Sequence, residues 1–84
     1  MAKLLSNVAV HLSGLGVSVM VPDAYNYVAV DPTGAIWAYG GEPPIYQEEE
    51  EWWFPQGPDA YIGGLAFDDN TEKELCKTKI WEIK

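Results

Sequence analysis

The stretch Tyr25-Asn26-Tyr27-Val28-Ala29-Val30-Asp31-Pro32-Thr33-Gly34-Ala35-Ile36-Trp37-Ala38-Tyr39 decides the fold. Two runs rich in β-branched and aromatic residues flank Asp31-Pro32-Thr33-Gly34. The aspartate accepts a hydrogen bond at the first turn position, the proline presets φ at the second, and the glycine supplies the left-handed residue. This is the chemistry of a type I turn with a bulge, and it closes a β-hairpin. With Pro32, Thr33 and Gly34 as the loop, Asp31 pairs with Ala35. Moving outward, Val30 meets Ile36, Ala29 meets Trp37, Val28 meets Ala38 and Tyr27 meets Tyr39. Side chains alternate, so one face carries Val28, Val30, Ile36 and Ala38, and the other carries Tyr25, Tyr27, Trp37 and Tyr39. Neither face is polar, whereas a half-exposed antiparallel pair has one polar side. Both faces need a cover, from the rest of the chain, from a partner, or from a second copy.

Upstream of the hairpin, Leu4, Leu5, Val8, Leu12 and Leu15 follow helical spacing, while Val8, Val10 and Leu12 also follow strand alternation. Residues 2–13 therefore stay open between helix and strand. Val17 to Val21 reads as a strand after a turn at Ser13-Gly14. Downstream, Gly40-Gly41-Glu42-Pro43-Pro44 is a turn and a short extended piece, and Ile45-Tyr46 is a brief strand. Glu48, Glu49, Glu50 and Glu51 repel one another and belong on an exposed loop or hairpin tip. Trp52, Trp53 and Phe54 follow as its anchor, and Pro55, Gly57 and Pro58 form a second loop. Tyr61 to Phe67 is a strand weakened or bulged at Gly63-Gly64. Thr71 and Glu74 form a capping-box pattern for a helical turn over 72–77. Residues 78–83 favour a strand, with a continuing helix as the competing reading.

The chain has 84 residues, enough for one domain over 1–84 and for a small core. Its eleven aromatics, four of them tryptophan, are the means by which so short a chain compensates. Thirteen acids against five basic residues, all lysine, leave a net charge of −8. Direct binding of nucleic acid or of an anionic membrane is excluded on that balance, because few cations are present to displace phosphate counterions. The apolar run from Leu4 to Val21 is too short and too interrupted by Ser6, Asn7, His11, Ser13 and Ser18 to span a bilayer. It reads as the first element of a cytoplasmic protein, and the lone Cys76 suits that compartment.

No catalytic or metal constellation emerges. His11 and Cys76 are the only imidazole and thiol, and nothing in the spacing brings them together. Gly14-Leu15-Gly16 lacks the third glycine of a phosphate-cradling loop. Asp68-Asp69-Asn70-Thr71 offers hard oxygens without the spaced acidic loop that calcium requires. The expectation is no enzyme, no cofactor and no metal. The most unusual feature is the glutamate run followed at once by tryptophans. Such a surface presents carboxylates where a basic groove expects phosphates, and it speeds association through long-range attraction. The aromatic neighbours supply the burial that charge alone does not.

The pattern Asn26-Tyr27-x-Ala29-x-Asp31-x-x-Gly34, followed by Pro43, a later tryptophan and Tyr61-Ile62-Gly63, resembles small phage and prophage proteins with an aromatic hairpin over about residues 22–67. The resemblance implies a viral accessory origin. It carries over no catalytic or ligand residues.

These readings converge on a β-rich α+β domain. It has an antiparallel sheet of four to five strands around the 25–40 hairpin and one or two short helices. The expected function is non-enzymatic: binding and inhibition of a host protein with a basic, nucleic-acid-binding surface, in the host cytoplasm. The expected contact residues are Glu48 to Glu51, Trp52, Trp53, Tyr25, Tyr27, Trp37 and Tyr39. Two alternatives stay beside it, an oligomer that sequesters nucleotide signals and a self-assembling virion module. A second copy of the chain is a further candidate partner.

Overall fold

The computed structural model describes Ala2 and residues 6–83. Met1, Lys3, Leu4, Leu5 and Lys84 lie outside them, and so does the part of the helical spacing that rested on the two leucines. The elements run β1 (Asn7–Leu12), β2 (Val17–Pro22), β3 (Tyr27–Val30), β4 (Ala35–Tyr39), β5 (Glu42–Gln47), β6 (Trp52–Gln56), β7 (Asp59–Gly64), α1 (Asn70–Cys76) and β8 (Trp81–Glu82).

The hairpin forms in the expected register. Tyr27 opposes Tyr39, Val28 opposes Ala38, Ala29 opposes Trp37 and Val30 opposes Ile36. The turn closes through the Asp31 N–H to the Ala35 carbonyl at 2.9 Å and the Gly34 N–H to the Asp31 carbonyl at 2.8 Å. Gly34 adopts φ +95°, and a Cβ there would sit 2.2 Å from the Leu65 carbonyl oxygen, so both conformation and space demand glycine. This pair forms the centre of a four-stranded antiparallel sheet, ordered β7-β4-β3-β8. Pairing of β4 with β7 skips Ile62 between Tyr61 and Gly63, placing a bulge beside the glycine pair.

The remaining strands are more numerous than the four to five expected. β1 and β2 form their own hairpin, and so do β5 and β6, which makes eight strands in three sheets among the described residues. The first segment is a strand from Asn7 onward, because Gly14 and Gly16 take positive φ and fold the apolar run back on itself. The second extra hairpin turns at the glutamate run, with Gln47 opposite Trp52. Its β5 strand carries Pro43-Pro44, which lack N–H donors, and the pairing slips there between Glu42 and Ile45.

The two hairpins cover opposite faces of the central sheet. On one face Val28, Val30, Ile36, Ala38 and Trp81 pack with Val10 and Leu12 of β1, Val21 of β2 and Cys76 of α1. The Trp81 indole N–H reaches the Ser13 carbonyl at 3.2 Å and pins the first hairpin's turn. On the other face Ala29, Tyr39, Tyr27 and Trp37 pack with Trp53 of β6 and Tyr46 of β5. The hairpin that needed two covers thus receives both from its own chain. Tyr25 corrects the expected facing. It packs with the aliphatic layer, because the strand begins only at Tyr27 and alternation does not extend through the bend before it.

α1 starts two residues earlier than the capping pattern implied. Asp69, not Thr71, is the N-cap, accepting from the Glu72 N–H at 3.0 Å, while the Glu72 carboxylate accepts from the Asp68 N–H at 2.8 Å. Glu74 instead pairs with Lys77 at 3.1 Å. Of the expected strand over 78–83, only Trp81 and Glu82 pair. Among the described residues, no helix is long and apolar enough to cross a membrane.

Candidate functional site

Strand parity distributes the three consecutive aromatics of β6. Trp53 turns inward and is 6% exposed, whereas Trp52 and Phe54 turn outward at 42% and 48%. The register sets Ile45 opposite Phe54 and Gln47 opposite Trp52, so Ile45, itself 49% exposed, joins them on one face. The two outward rings meet edge to face with centroids 6.2 Å apart. Together they form an exposed apolar cluster on the outer face of the hairpin.

At the end of the same hairpin stand the four glutamates, all exposed. Among the described residues none of them forms an ion pair, and the Glu50 carboxylate accepts the Trp52 indole N–H at 2.7 Å. Glu51 adopts φ +56°, a left-handed conformation that a non-glycine residue takes at a cost of about 1 kcal/mol.

Trp53 fastens this hairpin to the body. Its backbone N–H donates to Asp31 Oδ1 at 3.0 Å. Its indole N–H is shared between the Val30 carbonyl at 3.2 Å and the Cys76 carbonyl at 3.1 Å. Both acceptors are otherwise short of a donor. Val30 lies beyond the reach of β8, which pairs only with Tyr27 and Val28, and Cys76 ends α1. The ring also packs on Tyr46 with centroids 5.2 Å apart.

Between β6 and the central sheet opens a pocket of about 190 Å³. It is lined by Trp37, Tyr39, Trp52, Trp53, Phe54 and Pro55, and its only charged lining residues are Asp31 and Asp59. Asp59 is set on this face by its pairing with Tyr39, and Tyr61 lies edge-on to Trp37 with centroids 5.5 Å apart. Burial pushes the Asp31 carboxyl above its usual range, and the hydrogen bond from Trp53 pulls partly against it. Burial and the nearby charges of Asp31 and Asp59 push the Tyr39 phenol up well beyond its ordinary range. The pocket is therefore aromatic in its walls and negative in its field.

The expected contact residues divide accordingly. Glu48 to Glu51 and Trp52 sit together at the exposed end of β5–β6. Trp37 lines the pocket and Tyr27 is half-buried on the same face. Tyr39, at 2% exposure, and Trp53 are interior and act as wall and anchor. Tyr25 lies with the opposite layer. Phe54, Ile45, Asp31 and Asp59 were missed as members of the surface. Alternation of Phe54 with the buried Trp53 is the signal that points to the first of them.

The groups considered for chemistry lie apart. Cys76 is fully buried, and burial, with the charge of Glu72, pushes its thiol up to about 11. His11 is exposed on β1, where its ring nitrogen meets the Ser18 hydroxyl at 3.2 Å. Among the described residues, no three histidine, cysteine, aspartate or glutamate side chains are grouped to hold a metal ion. Comparison with protein-family models, curated proteins and solved structures yields no significant match.

Proposed function

We propose that this protein works by binding rather than catalysis, docking the β5–β6 hairpin on a basic surface of a protein partner. The partner class we favour is a host defence or transcription protein whose Lys/Arg-rich site otherwise holds nucleic acid, and docking occludes that site. One observation carries the reading: four exposed glutamates, outside any ion pair, are continuous with the outward rings of Trp52 and Phe54. The carboxylates attract the basic partner from a distance, and the rings supply burial once it arrives. The left-handed Glu51, held at a backbone cost of about 1 kcal/mol, supports the same view. A nucleotide-sequestering role is disfavoured, because the one pocket described presents two carboxylates to a phosphate.

The test is association with purified basic nucleic-acid-binding proteins of the host over a salt series. Replacing Glu48 to Glu51 by glutamine is expected to slow association about tenfold or more at low salt, with the two proteins converging at high salt. Trp52→Ala and Phe54→Ala are expected to raise the dissociation rate with little change in association. The partner is also expected to lose its nucleic acid in competition. Binding that ignores both salt and the glutamine replacements overturns the proposal.

A further inference from the structure

The pocket beside the hairpin constrains its own ligand. An anion is opposed by Asp31 and Asp59. A neutral apolar group would strip water from Asp31, which is already half-buried, and leave the carboxylate poorer in partners. A hard metal ion needs a shell of oxygens, and the walls here are mainly rings. An organic cation suits this lining, because aromatic rings attract positive charge and the carboxylates accept N–H donors. At about 190 Å³ the space falls below the range of drug-sized sites and suits one side chain.

Among organic cations, the donors decide. Asp31 Oδ1 is occupied by the Trp53 N–H, while Oδ2 has no donor among the described residues, and Asp59 stands opposite Tyr39 at the start of β7. A quaternary ammonium brings no N–H to these oxygens. A lysine ammonium brings them but is strongly hydrated and does not stack. A guanidinium is planar, weakly hydrated, rich in donors and stacks on indole. We infer that the pocket flanked by Trp37, Trp52, Phe54, Asp31 and Asp59 receives an arginine side chain of the protein partner. This inference rests on the reading of β5–β6 as a docking surface and names the group that surface selects.

The experiment uses the full chain labelled with ¹⁵N and follows the indole N–H resonances of Trp37 and Trp52. The probes are N-acetyl-arginine methylamide, its uncharged citrulline counterpart and its trimethyl-lysine counterpart. Saturable shifts are expected with the arginine probe and none with citrulline. Asp59→Asn is expected to weaken the arginine probe about tenfold, the loss of a charged hydrogen bond. Phe54→Ala, a change at an exposed ring, is expected to weaken it as well. Equal binding of citrulline, tighter binding of trimethyl-lysine, or no saturable shift with arginine each overturns the assignment. The outcomes separate from those of the docking proposal. Arginine binding that survives when glutamine replacements leave partner association unchanged supports the pocket and removes the tip. Salt-dependent partner binding with no response to the arginine probe supports the tip and removes the pocket.

Discussion

Replacing Trp53 by phenylalanine isolates the hydrogen bonds that hold the β5–β6 hairpin to the body. Phenylalanine keeps most of the buried ring and the contact with Tyr46. It removes the one N–H that serves both the Val30 and Cys76 carbonyls, at 3.2 and 3.1 Å. Two buried acceptors then lose their donor, and leaving such groups unmet costs about 1–3 kcal/mol. Taking about 2 kcal/mol, the melting temperature of a domain this size falls by roughly 8–16 °C. Trp53→Ala loses the ring as well, about 3–5 kcal/mol in all, which approaches the whole stability of a small domain. Urea unfolding followed by far-ultraviolet circular dichroism measures both. The phenylalanine variant is expected to shift the midpoint with an unchanged slope, because the hairpin stays docked and the surface exposed on unfolding is the same. A change under about 0.5 kcal/mol, the level of an inconsequential surface substitution, refutes the view that this indole secures the hairpin.

Three further predictions concern the turn, the carboxylate beneath it and the buried thiol. Glu51→Gly is expected to exceed Glu51→Gln in stability by about 1 kcal/mol, since both remove the charge and only glycine relieves the left-handed strain; equal midpoints in urea would count against it. Burial raises the folded pKa of Asp31 above its unfolded value of 3.8, so the ionised form is disfavoured in the fold. Its destabilising contribution is present above the folded pKa and fades as pH falls through that value toward 3.8. Asp31→Asn keeps an acceptor for the Trp53 N–H and is expected to be the more stable protein at pH 7, with the gap narrowing toward pH 4. A gap that is constant over paired melts in this range contradicts the assignment. Cys76, buried and with its thiol pushed up to about 11, is expected to react with Ellman's reagent only as fast as the protein opens; rapid reaction under native conditions would place it elsewhere.

The parts of the fold legible in the sequence are those set by local chemistry. Asp31-Pro32-Thr33-Gly34 specifies a turn, and the turn specifies the register of β3 and β4 to the residue. Mutual repulsion of Glu48 to Glu51 places them at a hairpin tip, where they are found. Elsewhere, two physical readings competed within the same residues. Val8 and Leu12 satisfy both helical and strand spacing until the glycine turn beyond them is taken into account. The capping pattern points to Thr71, whereas Asp69, two residues earlier, takes the cap. Pro43 and Pro44 argue against a strand, yet an edge hairpin tolerates them at a slip in pairing. The site was the hardest to read, because Trp52, Trp53 and Phe54 look alike in sequence. Which ring is buried depends on the side that β6 turns to a sheet formed by distant residues.

The β5–β6 hairpin shares no hydrogen-bonded ladder with the central sheet. Its outward positions Ile45, Gln47, Trp52 and Phe54 can therefore accumulate mutations without disturbing the pairing of β3 with β4, provided Trp53 and Tyr46 are kept. Single substitutions on this outer face thus leave the scaffold intact.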